Sequence, residues 1–317
     1  MIIYNDKNKI LIMEEYHVPV MVNEVVDNLV VDPDGVYVDL TFGGGGHSKA
    51  ILSRLSKKGR LIAFDQDDDS LAQSQLLDSP NFCFVKANYI FFPNFLYYLN
   101  IEHVDGIFAD LGVSSYQIDE PTRGFSIRFD GPLDMRMNKG ISLTAAKIVN
   151  TYSFDDIVRI LKDYGEVKCA RLIADAIILR RTNNGGIKTT GELKRIILDV
   201  VQRRSAQNKV LSQVFQALRI AVNDELVNLR VCLSNAKDVL RTGGRMAVIS
   251  YHSLEDRLVK RFFKFGDFVN QQPTDMFGNY SKTFRLISKK PIVASEEEIK
   301  ANSRSHSAKL RICEKLC

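Results

Sequence analysis

Three carboxylates and a run of glycines are the residues of this chain whose types and spacing could do chemistry. Asp39-Leu40-Thr41-Phe42-Gly43-Gly44-Gly45-Gly46-His47-Ser48 follows a stretch of β character and opens a helical one. Glycines in that place let the main chain turn tightly and approach a ligand that a side chain would hold off. Asp65 ends the next strand-like run, 22 positions after Gly43, where a carboxylate can accept hydrogen bonds from both hydroxyls of an adenosine ribose. Asp110 ends a further run and leads into Leu111-Gly112-Val113-Ser114-Ser115. In open α/β sheets the ligand crevice lies beyond the carboxyl ends of the strands, so Asp110 falls where a nucleoside and a second substrate would meet. Strand, glycine loop, helix, strand and acid together point to a nucleoside site. Taken singly, the glycines would suit a turn that only packs helix on strand, and Asp110 a cap on the turn after it.

These residues need a scaffold, and the pattern around them supplies one. Runs at 36–40, 60–64, 82–86 and 104–110 read as strands, and 22–31 and 48–56 as helices. Such alternation predicts a parallel, doubly wound, Rossmann-like α/β sheet. From about Ile118 to Asn223 it stops. A loop rich in Gly and Asp (123–140) precedes helical periodicities at 154–163, 168–180, 190–203 and 212–229. Tyr164-Gly165, Asn183-Asn184-Gly185-Gly186 and Ser205-Ala206-Gln207-Asn208 act as turn signals. Strand character returns at 244–251, after the Gly243-Gly244 turn, with further candidates at 283–288 and 308–313. Glu296-Glu297-Glu298 reads as a short charged helix start. The expected organisation is an α/β domain split between 1–117 and 223–317, with a mostly helical substrate-recognition domain, 118–222, inserted in it.

At 317 residues, 45% hydrophobic and 26% charged, the chain can bury a sizeable core, which excludes disorder by composition. No apolar run approaches the roughly 18 residues a membrane span needs. Residues 1–16 mix Asp6, Glu14 and Glu15 with Lys7 and Lys9, unlike a signal peptide. Cys83, Cys169, Cys232, Cys313 and Cys317 form no C-x-x-C pair, and the 5 histidines are scattered, so neither a disulfide framework nor a metal site is expected. A cytoplasmic location follows from that cysteine usage. The net charge of +5 is unevenly spread: 159–219 carries 13 Lys and Arg against 5 Asp and Glu. That span suits a polyanion-facing module, or equally the solvated faces of ordinary helices.

Which nucleoside is bound depends on details of the loop. A dinucleotide fingerprint reads G-x-G-x-x-G, whereas here Ser48 takes the third slot and Asp39 precedes Gly43 by four residues. The Asp-x-x-x-Gly-x-Gly spacing resembles the first motif of class I S-adenosylmethionine methyltransferases, whose acid lies near the cofactor's amino-acid end. This favours S-adenosylmethionine over NAD. Further segments extend the resemblance: His17-Val18-Pro19-Val20-Met21, Phe64-Asp65-Gln66-Asp67, Asp110 through Gln117, Arg123-Gly124-Phe125-Ser126, Asp130 through Met137, Phe215 through Ile220, and Ser250-Tyr251-His252-Ser253-Leu254-Glu255-Asp256-Arg257. Over nearly its whole length the sequence resembles the ribosomal RNA small-subunit methyltransferase H family, also called MraW.

The resemblance implies a class I methyltransferase that transfers a methyl group from S-adenosylmethionine to the exocyclic N4 amine of one cytidine in the decoding region of small-subunit (16S) ribosomal RNA. It implies the small-subunit RNA or the small ribosomal subunit as partner, no membrane, and leaves room for a homodimer. Family cofactor contacts carry over to Gly45, Gly46, His47, Asp65, Asp110 and Gln117, with Gly43 in the same loop. Tyr89 stands where the family often has Phe, and an aromatic there could lie against adenine or equally belong to the core. One departure concerns the family's His-Pro-Ala-Thr-Arg-Thr run, which here reads Lys209-Val210-Leu211-Ser212-Gln213-Val214. Gln213 cannot clamp a phosphate with a charged fork, so RNA binding would rest on other cations such as Arg203, Arg204, Lys209 or Arg219, and on Arg304 and Lys309 within 302–309.

A sulfonium brings its own activated methyl group, so the protein's task is alignment and help for a weakly nucleophilic amine. Asp110 is the first candidate for that help and Ser114 or Ser115 the second. Asp134, His252 and Glu255 are candidate pocket residues, although Asp134 would equally organise its loop and Glu255 equally pair with Arg257 or Arg261. A cytosine amine in a helix is hidden, so the substrate nucleotide must be single-stranded or extruded. An amino-methyltransferase acting on DNA or protein shares the same cofactor site. A non-catalytic RNA-binding assembly factor is a different class, against which Gly45, Asp65 and Asp110 speak. An NAD-dependent oxidoreductase fits least, because Ser48 replaces the third glycine and no hydride-relay pair is visible.

Overall fold

The short apolar runs become strands because the residues on them are covered from both sides, as in Val104–Asp110, where every residue but the last is buried. The structure, a computed structural model, describes residues 3–4, 10–11, 19–202, 204–268 and 282–316. His17, Val18, Arg203, Cys317 and most of 1–16 lie outside the described residues. In chain order β1 (Ile3–Tyr4) and β2 (Ile10–Leu11) form a small antiparallel pair. They are followed by α1 (Val22–Leu29), β3 (Val36–Asp39), α2 (Gly46–Leu52), β4 (Arg60–Asp65), α3 (Asp68–Ser74), β5 (Phe82–Lys86), α4 (Phe92–Tyr98) and β6 (Val104–Asp110). The helical stretch holds α5 (Ser115–Asp119), α6 (Ala145–Thr151), α7 (Phe154–Asp163), α8 (Ala170–Asn184), α9 (Thr190–Val200) and α10 (Arg204–Asn223). The chain ends with α11 (Glu225–Val239), β7 (Leu240–Ser250), α12 (Ser253–Phe265), β8 (Phe284–Leu286), α13 (Glu296–Ala301) and β9 (Lys309–Lys315).

Seven strands form one sheet in the order β5-β4-β3-β6-β7-β9-β8. Strands β3 to β7 run parallel, and β9 lies antiparallel to both β7 and β8. This is the doubly wound α/β arrangement predicted from the alternation. The order reverses between β3 and β6, and at such a switch point the helices leave the sheet in opposite directions and open a crevice at the carboxyl ends of the strands. Registration aligns those ends: Asp39 pairs with Phe108, Asp65 with Lys86 and Asp110 with Ile249.

Two compact units are present, Met1–Gly112 with Arg230–Cys317, and Val113–Leu229. The first is built on a core that includes Val25, Leu29, Tyr37, Ile51, Phe108, Ile249 and Leu310. The second has its own core, with Ile148, Ile157, Ile173, Ile177, Leu193, Ile197, Val214 and Leu218. No helix among the described residues is long and apolar enough to cross a membrane.

Several boundaries differ from the sequence reading, each for a physical reason. Ser205 to Asn208 is not a turn but the start of α10. Small polar residues favour helix starts as much as turns, and Gln207 Nε2 donates to the Val201 carbonyl at 3.0 Å to anchor this one. The periodic run 212–229 is two helices, broken where Asp224 takes a left-handed φ of 51°. Strand β7 begins at Leu240, so Gly243-Gly244 lies within it, where the pairing with β6 shifts register between Val104 and Gly106.

Gln213 donates from Nε2 to the Glu166 carbonyl at 3.3 Å, and Gln216 donates to the Tyr164 carbonyl at 2.9 Å. Both amides hold the turn after α7, where Glu166 has a φ of 52°. Arg219 is engaged bidentately with Glu225, at 2.8 and 2.9 Å.

The loop predicted at 123–140 is tightly tied. Buried Arg123 donates to the carbonyls of Arg136 (3.0 Å) and Met137 (3.1 Å). Arg136 grips both oxygens of Asp134, at 2.7 and 2.8 Å, and donates to the Lys139 and Ile141 carbonyls. Burial would raise the Asp134 carboxyl, but the Arg136 hydrogen bonds and charge outweigh it and hold the group below its ordinary value. Asn223 accepts from Met137 N and donates to Met135 O, both at 2.8 Å, which secures Met135 at a φ of 63°. Asp134 therefore organises its loop. Replacing Arg123 by Ala leaves two part-buried carbonyls without this donor, and should cost about 2–3 kcal/mol of stability in the second unit. Urea unfolding together with hydrogen exchange over 123–141 reads this directly, and unaltered protection there would show that the guanidinium is not the tie.

Candidate active site

The loop after β3 is assembled on a carboxylate with no exposed surface. Asp39 is 0% exposed; its Oδ2 accepts from Ser48 Oγ at 2.6 Å and its Oδ1 from Thr41 N at 3.0 Å. The acid expected near a ligand is thus buried under the loop, and Ser48, in the slot of a third glycine, joins α2 to β3 by a hydrogen bond. Burial pushes Asp39 up to about 6, against the lowering effect of Ser48 and Thr41.

Further bonds spread the loop across the ends of the strands and tie down Asp65. Phe42 N donates to Phe64 O at 2.9 Å. Gly43 N donates to Asp65 Oδ2 at 2.7 Å, and Asp67 N donates to Asp65 Oδ1 at 2.9 Å. Asp110 N donates to Thr41 Oγ1 at 2.6 Å. Burial raises the Asp65 carboxyl above its ordinary value, with the amides of Asp67 and Gly43 opposing it. Gly43 has a φ of 54° and nothing within 4 Å of where a Cβ would stand, so its outer side is open. Gly45 differs: at a φ of 77° its Cβ would meet the Phe42 ring at 2.7 Å, a requirement of packing. Gly46 starts α2 against Pro19.

His47 carries the loop to Asp110. Its Nε2 lies 2.9 Å from the Val20 carbonyl, which only a protonated nitrogen can bond. Burial holds the imidazole below its ordinary pKa, so the ring is neutral and Nδ1 is an acceptor. That nitrogen is 3.7 Å from Asp110 Oδ2. Asp110 Oδ1 accepts from Tyr251 Oη at 2.8 Å. Two acceptors thus face each other at the end of β6, an arrangement that suits a cationic N–H group. At the end of β4, Asp65 beside the open side of Gly43 suits hydroxyl donors. A nucleoside carrying an ammonium group fits this set of acceptors.

Of the residues singled out in the sequence, Gly43 and Asp65 are bonded to one another, and His47 and Asp110 face one another. Tyr89 is half-buried in the turn after β5, which Asn88 ties to the end of β4 by donating to Gln66 Oε1 at 3.1 Å. Ser114 and Gln117 belong to the other unit, where they form a reciprocal cap on α5: Ser114 N donates to Gln117 Oε1 at 3.0 Å and Gln117 N to Ser114 Oγ at 3.2 Å. Ser115 opens that helix. Glu255 accepts from Tyr251 N at 3.0 Å and lies 3.1 Å from His252 Nε2. The sequence reading missed Thr41 and Tyr251. Both lie just past strand ends bordering the crevice, which was the available signal.

The chain matches the MraW methylase family over residues 14–316. It is 52% identical over 300 residues to the ribosomal RNA small subunit methyltransferase H of Amoebophilus asiaticus, covering 95% of this chain and 96% of that one. The protein of the same name from Bacteroides thetaiotaomicron is also 52% identical over 300 residues, covering 95% and 97%. That from Flavobacterium johnsoniae is 50% identical over 302 residues, covering 95% and 98%.

The buried Asp39 makes a prediction about pH. Its folded value of about 6 exceeds the ordinary 3.8 of an unfolded chain, so the folded state binds this proton more tightly. The stability gained is fully present below about pH 4 and is lost as pH rises through about 6. Asp39→Asn should remove that increment. The unfolding free energies of the two proteins, followed from about pH 4 to pH 7.5, should diverge in slope; parallel curves would show that Asp39 does not carry it.

Proposed function

Since the chain belongs to the MraW methylase family, we propose that it is an S-adenosylmethionine-dependent methyltransferase of small-subunit ribosomal RNA, and that its target is the exocyclic N4 amine of a cytidine in the decoding region. The observation that carries the reading is the row of acceptors at the switch point of the sheet: Asp65 beside the open Gly43 on one side, and the facing Asp110 Oδ2 and His47 Nδ1 on the other. On this reading Asp65 receives the ribose hydroxyls, the Gly43–Gly46 loop lies along the ligand, and Tyr89 lies against adenine. Asp110 and His47 receive the ammonium of the methionine portion. Ser114 and Gln117 remain proposed contacts on the resemblance alone.

When bound, S-adenosylmethionine supplies an electrophilic methyl group on a positively charged sulfur. Transfer would form a nitrogen–carbon bond as the carbon–sulfur bond breaks, with the electron pair going to the sulfur, which leaves as the neutral thioether, and the extra amine proton passing to solvent. The protein's contribution is alignment of nitrogen, carbon and sulfur in a site that holds both substrates close, worth several kcal/mol. The inserted unit is proposed as the RNA-facing module, with exposed Arg204 and Lys209 among its cations. Arg219, committed to Glu225, is not among them. Phosphate contacts of this kind give salt-sensitive binding without base selection.

The deciding experiment incubates the protein with methyl-labelled S-adenosylmethionine and small ribosomal subunits lacking the mark, followed by nucleoside analysis. Label in N4-methylcytidine is expected. Label in another nucleoside would overturn the N4 assignment, and tight binding without transfer would favour an assembly factor. Asp65→Ala should weaken donor binding about tenfold or more by calorimetry; undiminished affinity would remove the ribose assignment.

A further inference from the structure

The segment Ser250 to Arg257 follows β7 and has no part in the reading above, yet its tyrosine reaches the end of the neighbouring strand. Tyr251 is one residue beyond β7, and its hydroxyl donates to Asp110 Oδ1 at 2.8 Å. Its ring passes under Gly112, where a Cβ would stand 3.6 Å from the ring and the main chain has a φ of 99°. Its own amide donates to Glu255 Oε2 at 3.0 Å, and Glu255 lies 3.1 Å from His252 Nε2 at the start of α12. The helix is in turn fastened to β9 by Arg311, which donates to both oxygens of Asp256 at 2.6 and 3.2 Å. Burial raises the Tyr251 phenol well above its ordinary value, so it keeps its proton as a donor throughout the working range.

We infer that Tyr251 is a positioning residue that fixes the carboxylate plane of Asp110 so that Oδ2 points to His47 and receives the amino-acid end of the methyl donor rather than the acceptor amine. The inference rests on the proposed function, which gives Asp110 to the methyl donor, and deepens it by naming the residue that orients that carboxylate. The carboxylate cannot turn about its Cβ–Cγ bond without losing the bond from Tyr251. The backbone of Asp110 is separately held by Thr41, so main chain and side chain are fixed independently. His47, whose Nδ1 lies 3.7 Å from Oδ2, is a residue of the glycine loop, which the proposed function gives to the donor's side of the crevice.

The test compares wild type with Tyr251→Phe, using calorimetric binding of S-adenosylmethionine and of 5′-methylthioadenosine, which has the nucleoside but no amino-acid portion. Loss of a hydrogen bond to a charged group predicts about a tenfold weaker Kd for S-adenosylmethionine. The Kd for methylthioadenosine should not change, and kcat at saturating donor should fall less than about threefold. Adding Tyr251→Phe to Asp110→Asn should weaken binding no further, because the hydroxyl acts through that carboxylate. Equal weakening of both ligands would mean general damage and overturn the inference. So would a fall in kcat with donor affinity intact, which would move Asp110 to the acceptor amine, or full additivity in the double variant. If Tyr251→Phe does not fold, Asp110→Asn alone must still separate the two ligands, and failure to do so overturns the inference. Wild type that binds neither ligand would instead remove the proposed function itself.

Discussion

A carboxyl group with no exposed surface must find donors inside the protein, and at the end of β3 that requirement shapes the loop above it. Asp39 is met by the Ser48 hydroxyl and the Thr41 amide. Meeting them draws the start of α2 and the first residues of the loop together. The chain between must then turn sharply, which is why Gly45 is left-handed and lies against Phe42. Thr41, once placed, is free to accept from the Asp110 amide, and Gly43 to donate to Asp65. One buried acid thereby sets the spacing of two others that stand nearer the surface. Ser48 explains why a third glycine is not needed: the junction of helix and strand is made by a hydrogen bond instead of by close backbone contact.

The sheet and its helices were largely legible because their signals are local. Apolar runs of strand length alternate with helical ones, and the glycine loop and Asp65 lie within one βαβ unit. What the sequence does not display is strand order. Tyr251 and Asp110 are 141 positions apart, and their contact exists only because β7 is laid beside β6. The split at Asp224 was hidden because the apolar periodicity continues across the break, so a periodic pattern alone cannot report one left-handed residue. The motif that the spacing of Asp39 resembles has its acid near the cofactor's amino-acid end, but spacing does not tell that this carboxylate is met by Ser48 and Thr41 beneath the loop.

The second unit shows how polar residues can build a rigid loop. Its Gly- and Asp-rich stretch carries the composition of a flexible connection, yet Arg123, Arg136, Asp134 and Asn223 satisfy its main-chain groups from within. Gln213 and Gln216 do the same for the turn after α7. Gln213 thus has a structural use here that counting charges alone would miss.

The neutral ring of His47 and the carboxylate of Asp110 present lone pairs to one another across 3.7 Å. Such a pair discriminates by polarity more than by size. A molecule offering a carbonyl or carboxylate there would bring a third set of lone pairs into the same enclosure, whereas an amine relieves the repulsion. On the proposed reading, a molecule that shares the nucleoside but lacks the amino group gains nothing from this pair, so the two groups sort ligands by the charge of their far end and leave the grip on the nucleoside to Asp65.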